Sequence, residues 1–357
     1  METPKLSVLP YKGTRDFYPR DMKLRNWFFG KIRAALETAC FEEYNGPMLE
    51  SLDLYIAKSG EEINEQTYNF EDRGGRRLAV RPEMTPTVAR LVAAKIGELN
   101  FPLRWFSIPN LYRYERPQRG RLREHWQVNV DIFGCPTFEA DLEVISTAVM
   151  LLKALGADKS MFRVHINNRR FFNDVIAAIA GTDAEGSRKV SKVVDRKNKI
   201  PREEYVKELT ELGLNETQIG KIDALYTMSV EEATALCPDS QGSAELLNLF
   251  RELEACGLAG YCVFDFGIIR GLDYYTGTVF EVFDEAPENN RAMFGGGRYD
   301  NLVGLFVKNT NISGVGFGFG DVTLENFLVT HNLIPDIYNE GTKVLVARFN
   351  DVPYEKY

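Results

Sequence analysis

The sequence lacks several features that would place it among membrane, secreted or nucleic-acid-bound proteins. No apolar run reaches about 18 residues, which excludes an ordinary transmembrane helix. The first residues contain no basic stretch followed by an apolar one, so we expect no secretory signal and a cytoplasmic location. The net charge of −8 argues against a protein held to nucleic acid by bulk positive charge, although it leaves room for a local basic groove.

Cysteine and histidine are also scarce. The five cysteines include no C-x-x-C pair, and their odd number indicates free thiols in a reducing compartment. His125, His165 and His331 stand far apart in the sequence, so a structural zinc site is not expected. With 44% hydrophobic residues, a chain of 357 residues can bury a large core without disulfides or a metal. Its length predicts roughly two to three domains.

The order of the predicted elements indicates an α+β fold. Helices are expected where apolar residues recur at helical spacing, and strands where apolar residues alternate with polar ones or form short runs. The mixed order favours a mainly antiparallel sheet flanked by helices over a doubly wound parallel sheet. A charged, mostly helical stretch at 170–258 predicts an insertion. The other predicted helices are 21–41, 85–99 and 139–155, and the predicted strands are 66–71, 76–81, 103–116, 122–134, 162–167, 261–269, 274–284 and 312–319.

The most informative segments are 103–116 and 122–134, which predict a long antiparallel hairpin with a basic loop at 117–121. In the second segment apolar residues alternate with polar ones, so Gln127 and Asp131 share the polar face. Four residues along a strand span roughly 13 Å. At that separation two polar side chains could hold the two ends of a small ligand.

Charged residues near these strands suggest an anionic ligand. Arg113 is expected on the polar face of the first hairpin strand near Glu115, and Arg270 begins the segment Arg-Gly-Leu-Asp-Tyr-Tyr. A buried guanidinium must meet an anion, because an unpaired buried charge is too costly. Its partner is either a carboxylate of the fold or a bound phosphate. Glu83, at a predicted strand-to-helix junction, is either a ligand-binding group or a charge favoured by the helix dipole.

Glycines leave part of one predicted strand without side chains. Gly314, Gly316, Gly318 and Gly320 alternate along it, and a run of three glycines occupies 295–297. A bare strand face allows either the close approach of a ligand or the tight packing of a helix on the sheet. The pattern alone does not decide between these two interpretations.

Three motifs, in the expected order, resemble those of the histidyl-tRNA synthetases, a family of class II aminoacyl-tRNA synthetases. The segment 113–121 is similar to the second signature motif of class II enzymes, and 270–275 and 296–300 are similar to the histidine-specific signatures of the family. The resemblance extends from Lys-Gly-Thr-Arg-Asp at 12–16 to the last residues.

The resemblance implies that ATP and L-histidine form histidyl-adenylate and that the histidyl group then passes to tRNA(His). Both reactants of the first step are anionic, so the enzyme needs positive charge and positioning rather than a covalent nucleophile. Mg²⁺ would be held mainly by the ATP phosphates. Arg113 and Arg270 would be catalytic, holding the α-phosphate. The implied ATP-binding residues are Arg113, Glu115, Arg121, His125 and Arg270, and the implied histidine-binding residues are Glu83, Thr85, Gln127, Asp131, Tyr274, Tyr275 and Tyr299.

The resemblance also implies which residues contact each part of ATP and of histidine. Arg121 would reach the outer phosphates, and Glu115 would lie near the adenine amino group. Asp131 would accept a hydrogen bond from one imidazole nitrogen, and Tyr275 or Tyr299 would donate to the other. The ammonium of histidine would be met by Glu83, Thr85 and Gln127.

The resemblance also divides the chain into parts. A discontinuous catalytic core, 1–169 and 259–335, would surround the helical insertion at 170–258. Residues 341–357 would begin a C-terminal anticodon-binding domain that is otherwise missing. The first helix and the strand near Pro47 are similar to the class II dimer motif, so a homodimer is expected.

Three positions depart from the family pattern. Asp131 stands where glutamate is expected, which shortens the reach toward the imidazole by one methylene. His125 replaces a phenylalanine that stacks on adenine. Thr323 takes the place of the third-motif arginine that contacts the γ-phosphate, and the sequence does not indicate a substitute.

Two other functions stay open at this stage. A regulatory, synthetase-like subunit of ATP phosphoribosyltransferase would bind histidine without an anticodon domain or a third-motif arginine. The retained Arg113, Arg121 and Arg270 favour the enzyme, because a histidine sensor has no need to grip ATP. A tRNA-binding module without activity fits poorly with the acidic net charge.

Overall fold

The computed structural model describes residues 6–59, 63–197, 200–269, 275–289 and 291–338, together with Ala347. Two predicted site residues, Arg270 and Tyr274, lie outside the described residues. Apart from Ala347, residues 341–357, which are expected to begin a C-terminal domain, also lie outside them.

Helices make up much of the described chain, and none of those described is long and apolar enough to cross a lipid bilayer. The helices are α1 (Pro19–Thr38), α2 (Leu52–Ser59), α3 (Ile63–Gln66), α4 (Thr85–Ala94), α5 (Phe138–Ala154), α6 (Arg169–Ala180), α7 (Ala184–Asp195), α8 (Arg202–Glu211), α9 (Glu216–Ala224), α10 (Val230–Thr234), α11 (Gln241–Ala255) and α12 (Asp321–Thr330). The strands are β1 (Glu42–Glu43), β2 (Leu49–Ser51), β3 (Tyr68–Glu71), β4 (Arg77–Val80), β5 (Leu103–Ser107), β6 (Asn110–Tyr112), β7 (Glu124–Phe133), β8 (Phe162–Asn168), β9 (Cys262–Phe264), β10 (Thr278–Asp284), β11 (Ala292–Arg298) and β12 (Gly314–Gly320).

The strands form one large sheet and one small one. The large sheet has the order β1-β5-β7-β12-β11-β10-β8-β9, with β6 also paired to β7, and the small sheet has the order β2-β4-β3. Within the large sheet only β1–β5 and β8–β9 pair in parallel among the described strands. This topology confirms the predicted α+β class with a mainly antiparallel sheet.

The core lies between one face of the large sheet and the helices α1 and α5. The α1 stripe predicted from helical spacing is buried, with Ile32 and Leu36 fully inaccessible to solvent. Val128, Val130 and Ile132 of β7 belong to the same buried cluster. The apolar face of β7 is therefore committed to the core, which directs its polar face to the opposite side of the sheet.

Six helices, α6 to α11, occupy most of the stretch predicted to be helical. Their apolar residues, such as Tyr205, Leu209 and Ile222, are buried and join the core cluster that includes the sheet. Asn168 begins this region by accepting hydrogen bonds from the backbone amides of Arg170 and Phe171, which caps the N-terminus of α6.

The predicted strand 103–116 is wrong as a single element. It is interrupted at 108–109, where Pro109 has no amide hydrogen to donate to a sheet, and strand structure ends at Tyr112. Arg113 therefore follows a strand rather than lying within one. The pair Thr85-Pro86 is typical of a threonine cap followed by proline at the first helical position. The structure instead makes Thr85 the first helical residue of α4, and Met84 holds the cap position without a side-chain hydrogen bond.

The strand β11 is absent from the sequence-based prediction. Three consecutive glycines occupy its centre, and glycine has a low strand propensity that concealed it. Backbone hydrogen bonds to β10 and β12 on either side hold this segment as a strand, although its own residues have little strand propensity.

Arg298, at the end of β11, forms a buried ion-pair cluster behind the sheet. Its guanidinium donates to both oxygens of Asp141 on α5, at 2.9 to 3.1 Å, and to Asp300 at 3.3 Å. Further bonds reach the carbonyls of Cys135 and Thr137. Arg298, within the segment 296–300, therefore fixes α5 to the sheet.

We expect Asp141→Ala to destabilise the protein by about 3–5 kcal/mol, because it leaves the buried Arg298 without its main counter-ion. Glu143→Ala on the same helix is the matched control. Its pair with Arg104 is about one third exposed on each side, so the loss should stay below about 1 kcal/mol. Urea unfolding of both variants measures the difference, and equal losses would contradict this assignment.

Candidate active site

A cavity of about 980 Å³ opens on the polar face of the large sheet. Its volume lies at the upper end of the range for small-molecule sites, about 300–1,000 Å³. The structure brings ten of the twelve residues predicted for the site to its walls. They are Glu83, Thr85, Arg113, Glu115, Arg121, His125, Gln127, Asp131, Tyr275 and Tyr299.

The glycines of β12 make room for the side chains of this site. A Cβ atom on Gly318 would lie 1.9 Å from Gln127 Nε2, and one on Gly316 would lie 2.6 Å from Asp131 Oδ1. A Cβ on Gly314 would lie 2.5 Å from the ring of Tyr299. The bare strand face is thus filled by cavity-lining side chains from β7 and the end of β11.

Gly318→Ala should displace the amide of Gln127 while leaving the fold intact, since the colliding atom is the end of a flexible side chain. If Gln127 holds the amino acid substrate, the KM for histidine should rise about tenfold, as for one lost hydrogen bond to a charged group. Gly320→Ala is the control, because its Cβ would meet nothing closer than 3.8 Å. Steady-state kinetics of both variants, with circular dichroism to check folding, tests this. Equal KM values in the two variants would contradict the role of the glycine.

One end of the cavity is formed by a buried tyrosine–carboxylate contact. Tyr299 and Asp131 are only 3% and 4% exposed, and the Tyr299 hydroxyl donates a hydrogen bond to Asp131 Oδ1. Burial and then the charge of Asp131 raise the pKa of the neighbouring Tyr44 well above its ordinary value. The carboxylate therefore lies among neutral hydroxyls, an environment suited to accepting a hydrogen bond from an imidazole nitrogen.

Farther along β7, Gln127 offers an acceptor without a partner. Its Oε1 atom is buried and makes no hydrogen bond within the described part of the chain. Glu83, two residues before the start of α4, and Thr85 line the same cavity. A buried acceptor needs a donor, and the ammonium of an amino acid supplies donors that match these oxygens.

The guanidinium of Arg113 is available to an anion. Its Nε donates to the carbonyl of Pro82 at 2.9 Å, and it forms no ion pair with the carboxylates that the structure describes. The interpretation that a carboxylate of the fold neutralises Arg113 thus finds no support among the described residues. Its positive charge also contributes to the lowered pKa of His125.

Arg121 and Glu115 pair with each other across the base of the hairpin loop. Arg121 Nε lies 3.0 Å from Glu115 Oε2, and the Arg121 side chain is about half exposed. Solvent reaches the Arg121 side of this pair and screens it in part, whereas Glu115 is mostly buried. Arg121 can therefore exchange Glu115 for a stronger anion.

His125 is neutral under ordinary conditions. Burial, followed by the positive charges of Arg113 and Arg15, lowers the pKa of His125 from 6.5 to about 3. Its Nδ1 is buried without a hydrogen-bond partner in the described chain. A neutral imidazole has a flat face that can stack on a base. In the family pattern described above, a phenylalanine at this position stacks on adenine.

The lowered pKa gives a test by pH. The unfolded state binds a proton at His125 near pH 6.5 and the folded state only near pH 3, so this residue costs stability as the pH falls from about 7 to 4. The variant His125→Phe lacks that cost. The difference in unfolding free energy between His125→Phe and wild type should therefore increase as the pH falls from about 7 to 4. Above pH 7 this difference should stay constant. Urea titrations at several pH values measure it, and a flat difference from pH 4 to 7 would contradict the lowered pKa.

Sequence reasoning missed several residues around this cavity. Asp321, the first residue of α12, is buried and accepts from Arg15 at 2.5 Å and from the backbone amide of Trp126 at 3.0 Å. Arg119 and Arg291 also line the cavity. The basic loop contains Arg119 and so carried a signal for it, whereas Arg291 directly precedes the unpredicted strand β11.

Comparisons with known proteins agree with these features. A family model described as histidyl-tRNA synthetase matches residues 13–321. The histidine–tRNA ligase of Leptospira biflexa is 48% identical over 345 residues, which cover 96% of this chain and 79% of the relative.

Solved structures show the same fold. A protein of Bacillus halodurans described as an ATP phosphoribosyltransferase regulatory subunit/histidyl-tRNA synthetase superposes with a TM-score of 0.78 at 25% identity, covering 91% of this chain and 84% of its own. The histidyl-tRNA synthetase of Nostoc sp. also gives a TM-score of 0.78, at 23% identity, covering 93% of this chain and 77% of its own.

Proposed function

The chain belongs to the histidyl-tRNA synthetase family, and from this premise we propose that it is a histidine–tRNA ligase. It activates L-histidine with ATP and transfers the histidyl group to tRNA(His). The observation that carries the proposal is the guanidinium of Arg113, which lines the cavity without a counter-ion among the described carboxylates. A cation in that position needs an anionic ligand.

The first step joins two anions. A carboxylate oxygen of histidine attacks the α-phosphorus, a bond forms between them, and the bond to the bridging oxygen breaks to release pyrophosphate. Arg113 stabilises the charge that builds on the phosphoryl oxygens, and Arg270 is proposed to do so from the other side. Arg121 leaves Glu115 to reach the outer phosphates, while Glu115 accepts from the adenine amino group and His125 stacks on the ring.

Histidine occupies the other half of the cavity in this proposal. Its ammonium meets Glu83, Thr85 and Gln127, and one imidazole nitrogen donates to Asp131. Tyr275 or Tyr299 donates to the second nitrogen. Because Tyr299 already donates to Asp131 and so orients that carboxylate, we favour Tyr275. A site of such polar groups rejects apolar amino acids strongly, since its groups would be left unpaired.

Other parts of the proposal follow from the family. Mg²⁺ accompanies ATP and is held mainly through the phosphates, where it shields their charge. Residues 1–169 and 259–335 act as the catalytic core, 170–258 as the insertion and 341–357 as the start of an anticodon-binding domain. We further propose a cytoplasmic homodimer with no membrane association.

Histidine-dependent exchange between ATP and pyrophosphate tests the proposal directly. The wild-type chain should catalyse it, and Arg113→Ala should slow it by about 100-fold or more, as for a lost transition-state donor. Arg104→Ala is the control, because Arg104 is paired with Glu143 and does not line the cavity. Exchange that survives at full rate in Arg113→Ala would contradict the role of Arg113.

The regulatory function is the second candidate. It is favoured by Thr323, which replaces the arginine expected in the third motif, and by the regulatory-subunit description of the Bacillus halodurans protein. Binding of histidine without any exchange, both in this chain and in a chain extended at its C-terminus, would favour that candidate over the ligase.

A further inference from the structure

The cavity contains a cation that matches the missing arginine of the third motif. Thr323 cannot bind phosphate as an arginine does, and its hydroxyl already donates to the carbonyls of Met293 at 2.8 Å and Gly320 at 3.1 Å. The geometry points to Arg291 as the residue that holds the γ-phosphate of ATP in this chain. This inference rests on the proposed function, because it assigns a further residue to the same reaction.

Arg291 and Thr323, which stands at the position of the missing arginine, line the same cavity. It stands two residues before Met293, whose carbonyl accepts the Thr323 hydroxyl, and two residues of a strand span about 7 Å. An arginine side chain covers that distance. Residue 323 at the start of α12 and Arg291, just before β11, thus approach the cavity from two neighbouring elements.

The guanidinium of Arg291 also reaches the basic loop at 117–121. Its Nη2 donates to Gln118 Oε1 at 3.2 Å, and the backbone of Gln118 is hydrogen-bonded to that of Arg121 in both directions. A Cβ on Gly120 in the same loop would lie 3.5 Å from Thr323 Cγ2. Arg121 in the loop and Arg291, just before β11, therefore line the same cavity. This arrangement allows both arginines to bind the phosphates of one ATP molecule.

The partner of Arg291 is easily exchanged. Gln118 is exposed and neutral, and no ion pair joins Arg291 to a carboxylate among the described residues, including Glu288 on the same wall. Hydrogen bonds between charged groups are stronger than those to a neutral amide. An ATP phosphate should thus draw the guanidinium away from Gln118.

Arg119 is the competing cation and is held differently. Its Nη2 donates to Asn289 Oδ1 at 3.0 Å. Asn289 is itself fixed, since its Nδ2 donates to Asp284 at 2.6 Å and to Thr330 at 3.1 Å. The partner of Arg119 is thus held by two further side-chain hydrogen bonds, whereas Gln118, the partner of Arg291, has an exposed side chain.

The test compares Arg291→Ala with Arg119→Ala in the full chain. Arg291→Ala should raise the KM for ATP and the KM for pyrophosphate at least about tenfold, as for a lost charged hydrogen bond. The KM for histidine and the affinity for AMP should stay unchanged, because AMP lacks the outer phosphates. Arg119→Ala should change none of these by more than about threefold, and Arg291→Lys should keep part of the ATP affinity because it keeps the charge.

A second variant tests the equivalence of the two positions. Thr323→Arg should restore ATP affinity in the Arg291→Ala background. Wild-type ATP affinity in Arg291→Ala, a loss in Arg119→Ala instead, or an equal loss of AMP binding would each overturn the inference. If the wild-type chain shows no exchange, the proposed function fails, and the comparison of ATP with AMP binding by calorimetry still decides the role of Arg291.

Discussion

The site depends on the alternation of side chains along β7. Val128, Val130 and Ile132 are buried in the core below the sheet, so the residues between them must point to the other side. Gln127 and Asp131 are thereby fixed at two points of one straight backbone. The spacing between these two polar side chains is therefore a property of the strand and not of a flexible loop.

The arginines of this chain separate into two kinds by their partners. Arg298 is buried and meets Asp141 and Asp300, so its charge is neutralised within the fold. Arg113 is partly buried, and the one side-chain hydrogen bond it makes within the described chain goes to a backbone carbonyl. Burial of a cation without a counter-ion costs stability, and such a cost is expected where an anionic ligand later supplies the missing charge. The contrast distinguishes a structural arginine from one suited to a phosphate, although both lie in segments of the same family resemblance.

Periodicity was sufficient to predict α1, α5 and the long strand β7, because each has one face committed to the core, whereas α2, α3 and α12 were not predicted. It failed for β11, whose glycines have no side chains to form a pattern, and for the break at Pro109, where the strand divides although its flanks still alternate. The cavity residues on β7 could be predicted from that alternation. The resemblance predicted other wall residues such as Glu83, Tyr275 and Tyr299. The pairing of Tyr299 with Asp131 joins distant segments, and that of Arg121 with Glu115 depends on the conformation of the hairpin loop. Neither the spacing nor the motifs contain that information.

The third motif shows how the same cavity can be kept with different residues. Asp321 fastens the start of α12 to Arg15 and to the backbone of β7, and Thr323 fastens its first turn to the backbone of β11. The polar atoms of both side chains therefore form hydrogen bonds that hold the helix against the sheet. A helix held in this way presents no cation to the cavity, so the positive charge for the outer phosphates must come from an adjacent element. The start of β11 is the element that these contacts bring closest.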